Sequence, residues 1–164
     1  MTNFNDIFEA NIDFSKNFAS SGQSAIAKRG LAIITCIDSR IAPLAIVGMQ
    51  PGDAKIMRNA GARVTEDVLR TLVLATALLG VDRILVMPHT DCRMASGSEE
   101  EIHQAILEKT GIDSRAIEIR TVRDQISALK LDIQRIKSSP HLPDGISVVG
   151  AIYDVNSGVL NKVE

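Results

Sequence analysis

The apolar positions fall into two rhythms. Solid runs, Leu31-Ala32-Ile33-Ile34 and Ile84-Leu85-Val86-Met87, are too short for helices and rich in Ile and Val. They predict buried strands. Ala54 to Arg58 and Ile146 to Tyr153 read as further strands. Between them apolar residues recur at steps of three and four. Val68, Leu72, Ala75 and Leu79 predict a helix that Thr65 caps, with Glu66 and Asp67 in its first turn and Gly80 at its end. Val122, Ile126, Leu129, Ile133 and Ile136 predict a helix from Thr121 to Lys137. A helix opening over Ser96 to Glu101, with Ser98 and three glutamates, carries Ile102, Ile106 and Leu107 as its apolar face. Leu44 to Val47 reads as a short helix among Pro and Gly, and Ile117 with Ile119 as a strand or loop segment.

Strands alternating with helices define an α/β class: a Rossmann-like, mostly parallel sheet flanked by helices, with an antiparallel strand allowed at its edge. The first segment differs. Phe4, Ile7, Phe8, Ile12, Phe14 and Phe18 predict one or two amphipathic helical pieces over Asn3 to Ala19. Ser20 to Ser24 then breaks the pattern. We expect a single domain over 1–164, with a helical arm at 1–24 and an α/β core at 25–164. The arm holds four of the five aromatics. Two readings stay open: packing within the subunit, or packing on a partner subunit.

Composition narrows the function classes. A net charge of -2 gives no electrostatic case for nucleic acid or an anionic membrane, and 3% aromatics argues against a base-stacking surface. No apolar run approaches membrane-spanning length. The acidic start MTNFNDIFEA lacks a basic-then-apolar leader pattern, so a cytoplasmic protein is expected. There is no repeat and no low-complexity tract.

Both central strands end in chemistry. The first runs into Cys36-Ile37-Asp38-Ser39-Arg40, the second into Pro88-His89-Thr90-Asp91-Cys92. Open parallel sheets place ligands at the carboxyl ends of their strands. Two thiols and an imidazole delivered there form a soft, zinc-type ligand set. Three protein ligands leave one tetrahedral position open, the catalytic pattern. Asp38 has two candidate partners: the metal, which would close the site, or Arg40 through a bidentate contact. Asp91 is a loop or cap residue close enough for an outer-shell role. His103 and His141 are expected at the surface.

Cys36-x-Asp38-x-Arg40, Arg58-Asn59-Ala60-Gly61 and His89-x-x-Cys92 together resemble the β-class carbonic anhydrases. The likeness runs from about Leu31 to Cys92, with weaker support in ISVVGAIYDVNSGVL. Short length, QPGDAKIMRNAG and HTDC are similar to the compact branch of that family, which also includes carbonyl sulfide and carbon disulfide hydrolases. The resemblance implies one zinc per chain on Cys36, His89 and Cys92, with Asp38 and Arg40 as the catalytic dyad. It implies a homodimer or homotetramer whose N-terminal helices embrace the partner. Three positions depart from the pattern: Arg93 stands where the family usually has Gly, Pro88 where Gly or His is common, and Ala27 where plant-type members carry Gln.

The function implied is reversible hydration of CO2 to bicarbonate by attack of zinc-bound hydroxide. The alternatives are carbonyl sulfide hydrolysis on the same site, or a catalytically impaired zinc- or bicarbonate-binding protein if Arg93 spoils it. Two thiolates already offset the ion's charge, so weaker acidification of water and an alkaline optimum are expected. Val64, Leu69 and Met94 are candidates to line a small apolar substrate pocket.

Overall fold

The computed structural model describes residues 4–18, 22 and 24–163. Five strands form one sheet in the order β2-β1-β3-β4-β5. They are β1 (Leu31–Cys36), β2 (Ala54–Asn59), β3 (Arg83–Met87), β4 (Ser147–Tyr153) and β5 (Leu160–Val163). The first four are parallel, and β5 returns antiparallel on β4, with Gly150 opposite Val163 and Tyr153 opposite Leu160. The helices are α1 (Asn5–Lys16), α2 (Pro43–Ile46), α3 (Glu66–Leu78), α4 (Glu99–Thr110) and α5 (Gln125–Lys137).

The central strand β1 is buried at every position, as its unbroken apolar run requires. Ala32, Ile34, Ile84 and Val86 pack with Val68, Leu72 and Ala75 of α3 and Leu129 and Ile136 of α5. Leu31, Ile33 and Met87 pack instead with Ile41, Met49 and the α2 side chains Leu44 and Ile46. Thr35, fully buried, donates its hydroxyl to the Met87 carbonyl at 2.8 Å, so the polar residue inside the strand is satisfied. The parallel register sets Cys36 beside Asn59 and Thr35 beside Met87, so the β1, β2 and β3 loops leave the sheet together.

Helix boundaries follow the caps. Thr65 accepts from the Val68 N–H at the start of α3. Ser98 and Glu101 form a reciprocal capping box at the start of α4, and Gly111 closes that helix in the left-handed conformation. Asp124 accepts from the N–H groups of Ile126 and Ser127, so α5 begins at Gln125 and not at Thr121; Val122 lies before the helix, buried. β5 follows the last strand that the apolar pattern predicts, and Ile117 and Ile119 lie in a loop.

Helix α1 buries none of its residues. Phe4, Ile7, Phe8, Ile12, Phe14 and Phe18 are all 56–68% exposed, so packing within the subunit is not what this helix does. The expected ends of the arm at Asn3 and Ala19 lie outside the described residues, as do Ser20, Ser21 and Gln23 of the break.

Candidate metal centre

At the carboxyl ends of β1 and β3, one donor atom from each of Cys36, His89 and Cys92 comes within 4.8 Å of the others. All three residues are buried. The two sulfurs lie 4.0 Å apart. Two thiolates at 2.3 Å from a tetrahedral zinc stand roughly 3.8 Å apart, so the spacing fits the ion. The histidine supplies a second test. Its Nδ1 lies 2.8 Å from the Thr90 carbonyl, which makes that nitrogen the donor and leaves Nε2 with a lone pair. Nε2 is the one buried side-chain nitrogen or oxygen without a hydrogen-bond partner among the described residues. A buried lone pair grouped with two thiols is a donor set that fits a metal such as zinc.

The loops that carry these donors are held from several sides. Arg58, one strand over, donates Nε to the Cys36 carbonyl at 2.8 Å and a terminal nitrogen to the Asp38 carbonyl at 2.6 Å. Gly61, at φ +78°, points its N–H at the Cys36 sulfur at 3.4 Å. Tyr153 of β4 pairs with the second loop through Tyr153 N–H to Pro88 O and Thr90 N–H to Tyr153 O, both 2.9 Å. Gln125, the first residue of α5, donates to the His89 carbonyl at 2.8 Å. The Arg58 motif was visible in the sequence; nothing in the pattern pointed to Gln125.

Asp38 takes the Arg40 partner. Its Oδ1 accepts from the Arg40 backbone N–H at 2.9 Å and from Nε at 3.0 Å, and Oδ2 accepts from Nη2 at 2.8 Å. The Arg40 side chain, then its backbone N–H, hold the carboxyl well below the usual carboxylate range, and the carboxylate in turn raises the guanidinium. Asp38 Oδ2 remains 3.8 Å from His89 Nε2. Among the described residues, then, three protein donors converge, and Asp38 is not one of them. Burial pushes the Cys92 thiol up to about 11; the Met94 N–H pulls it down and the nearby Cys36 adds to the rise.

Arg93, which the sequence singled out, is exposed, and its Nη1 reaches the Ser96 hydroxyl at 3.3 Å. Its backbone is not in the left-handed region, so no glycine is needed there. Of the expected pocket residues, Met94 lines a cleft against Cys92 with Gly61, Pro88, Val122 and Gln125. Val64 is fully buried in the α3 core and Leu69 borders a separate surface groove with Arg70 and His141; neither lines this cleft. His103 is not at the surface as expected. It is 9% exposed, with Nδ1 2.7 Å from the Ser114 hydroxyl, because the loop after α4 folds back over it.

Residues 31–125 match the family model described as carbonic anhydrase. The chain belongs to the β-carbonic anhydrase family. It is 31% identical to β-carbonic anhydrase 1 of Mycobacterium tuberculosis over 163 residues, covering 99% of each chain. The solved structure of a carbonic anhydrase from Streptococcus mutans superposes with a TM-score of 0.92 at 34% identity, covering 100% of this chain and 99% of that one. A carbon disulfide hydrolase of Acidianus is 29% identical over 82% of this chain and 77% of its own length. The sheet and its flanking helices are thus those of the family, and the donor set suits the zinc that the family uses.

Proposed function

We propose that this protein hydrates CO2 reversibly to bicarbonate, with zinc held by Cys36, His89 and Cys92. The observation that carries the reading is the pairing of Asp38 with Arg40 beside a three-donor cluster. It leaves a corner for solvent. When bound, zinc acidifies that solvent and offsets the negative charge that develops on the substrate oxygens.

The chain's own residues set the geometry. Asp38, held ionised by Arg40, can only accept a hydrogen bond. It therefore favours a nucleophile that carries a proton, fixes the direction of that proton, and turns a lone pair toward the carbon. A bicarbonate oxygen without a proton finds no partner there, which favours release of the product. Arg58 and Gly61 hold the Cys36 loop, and Gln125 holds the His89 carbonyl, so the donors are set before the metal arrives.

Hydrolysis of a linear sulfur analogue is the second reading, favoured by the relationship to the Acidianus carbon disulfide hydrolase. Carbonyl sulfide presents the same electrophilic carbon, and discrimination would lie in how the cleft at Met94 receives oxygen or sulfur. An impaired site has no support from Arg93, which turns toward Ser96.

The wider reading is one domain over 1–164, with 1–24 as an arm. The exposed aromatic face of α1 supports a homodimer, or a pair of dimers, in which the arm lies on the partner. No helix among the described residues is long and apolar enough to cross a membrane, and two reduced thiols suit the cytoplasm.

The test measures zinc per chain, CO2 hydration and carbonyl sulfide hydrolysis on one preparation, with Asp38→Ala as control. One zinc and fast CO2 hydration support the reading. Carbonyl sulfide turnover far above CO2 hydration promotes the second. One zinc with neither activity overturns both.

A further inference from the structure

Arg40 is bonded to more than its dyad partner. Nη1 donates to Asp91 Oδ2 at 2.8 Å, and Nη2, already on Asp38, reaches the Asp91 carbonyl at 3.1 Å. Asp91 sits between His89 and Cys92 at φ +53°, a left-handed conformation that Asp tolerates better than most residues. There its carboxylate and its carbonyl both face the guanidinium. One side chain thereby ties the Cys36 loop to the His89–Cys92 loop.

The tie bears on where Asp38 can go. A nitrogen and an oxygen ligand of one tetrahedral zinc stand roughly 3.3 Å apart. Asp38 Oδ2 lies 3.8 Å from His89 Nε2, close to that spacing, so the carboxylate stands beside the three converging donors without being one of them. What holds it back is the Arg40 fork, and what holds the fork is Asp91. Arg115 offers an internal control. It makes the same three bonds to Asp113, so a local Asp–Arg pair forms without any second carboxylate. Asp91 is therefore not needed to form the pair; it fixes where the pair stands relative to the ligands.

We propose that Asp91 is a positioning residue: by anchoring Arg40 to the His89–Cys92 loop, it holds Asp38 out of the fourth ligand position and keeps that position open. The proposal rests on the metal reading above and adds to it a second carboxylate that acts only through Arg40.

The test uses the cobalt(II)-substituted protein and thiocyanate, an anion that needs the open corner, with binding read from the visible spectrum. Asp91→Gly keeps the left-handed backbone and removes the carboxylate. Cobalt loading should stay at that of the wild type, while thiocyanate binds roughly two- to fivefold more weakly, the range for one exposed ion pair. Asp91→Asn, which keeps one acceptor oxygen, should recover part of the loss. In an Asp38→Ala background the Asp91→Gly change should have no effect, because no carboxylate is left to compete.

Electrostatics alone predicts the opposite sign, since removing a nearby negative charge should tighten anion binding. Unchanged or tighter binding in Asp91→Gly overturns the proposal, as does an equal loss in the Asp38→Ala background. Loss of cobalt in Asp91→Gly also overturns it, by showing that Asp91 builds the ligand loop instead. Wild-type protein that takes up no cobalt sinks the metal reading itself, and this proposal with it.

Discussion

The tetrapeptide Ile-Asp-Ser-Arg occurs twice, at 37–40 and at 112–115. Four residues are too few to signal repeat architecture, yet both copies fold into the same clasp. Asp38 accepts from the Arg40 backbone, Nε and Nη2 at 2.9, 3.0 and 2.8 Å; Asp113 accepts from the same atoms of Arg115 at 3.0, 2.9 and 2.6 Å. In both, the arginine drives the carboxyl well below its usual range. Each copy even has a histidine nearby, His89 for the first and His103 for the second. The clasp is thus local chemistry, written in four residues. The metal-type cluster is not. The first copy leaves β1 where β3 delivers His89 and Cys92 alongside, whereas the second follows α4, where His103 faces Ser114 and Glu99. Among the described residues only the first copy adjoins a group of metal donors. Identical turns differ in their surroundings because the parallel register brings thiols to one of them.

The largest effect should come from removing what only the first copy has. Cys36→Ser should lose the zinc and lower CO2 hydration by more than roughly a hundredfold, beyond what loss of an outer-shell partner costs. Asp113→Ala should leave metal content and rate unchanged. Metal analysis and stopped-flow hydration assays check both, with circular dichroism confirming the fold. A comparable loss in Asp113→Ala would erase the distinction between the copies.

A second contrast lies in protons. The Cys92 thiol is pushed up to about 11, chiefly by burial, so without a metal it is protonated at neutral pH. A metal must displace that proton. Apparent zinc affinity should therefore rise with pH, by about tenfold per unit for this thiol, until the pH nears the thiol's own value. Competition against a chelator at several pH values between about 6.5 and 8.5 measures the slope. A flat profile would show that the thiolate exists before metal arrives.

The arginines come next. Lys cannot reproduce the guanidinium fork. Arg40→Lys should cost roughly ten- to a hundredfold in hydration rate, in the range for a residue that orients the reacting groups; Arg115→Lys should change the rate less than about twofold. The pH profile sharpens this. Asp38 is lowered in the folded protein, so it stays ionised through the neutral and mildly acidic range and contributes no activity step there. Weakening its partner moves its titration upward, so an acid limb should appear in Arg40→Lys and not in Arg115→Lys.

The same contrast explains what was legible in the sequence. The strands carry their own signal, as Leu31 to Ile34 and Ile84 to Met87 show, and their loops carry the donors in plain spacing. The cap at Thr65 could also be read. Signals that compete were harder: the periodicity of Val122 masked the Asp124 cap, and α5 starts later than the pattern implied. Features made by distant pairing were not legible. β5 has a polar Asn161-Lys162 centre and exists because the turn after Asp154 folds it back on β4. His103 looks like a surface residue of an acidic helix until the 111–120 loop covers it. Gln125 acts on the site only because α5 begins where the His89 carbonyl emerges.

The smallest effect belongs to Arg93, although the sequence makes it the most conspicuous departure from the family. A cation next to a ligand cysteine can bind an anion or acidify solvent only if it faces the site. Arg93 is exposed, directs its Nη1 to Ser96, and accepts from the Ser96 hydroxyl through its own carbonyl at 2.7 Å. Its backbone needs no glycine. Arg93→Gly should therefore change stability by less than about 1 kcal/mol and the hydration rate by less than about twofold, as surface substitutions usually do. Thermal unfolding and stopped-flow kinetics on the zinc-loaded protein measure both. A rate gain of tenfold or more would mean that the side chain swings over the metal in solution. The second clasp, which has no such neighbour, would then be the better picture of how Asp38 and Arg40 stand when nothing disturbs them.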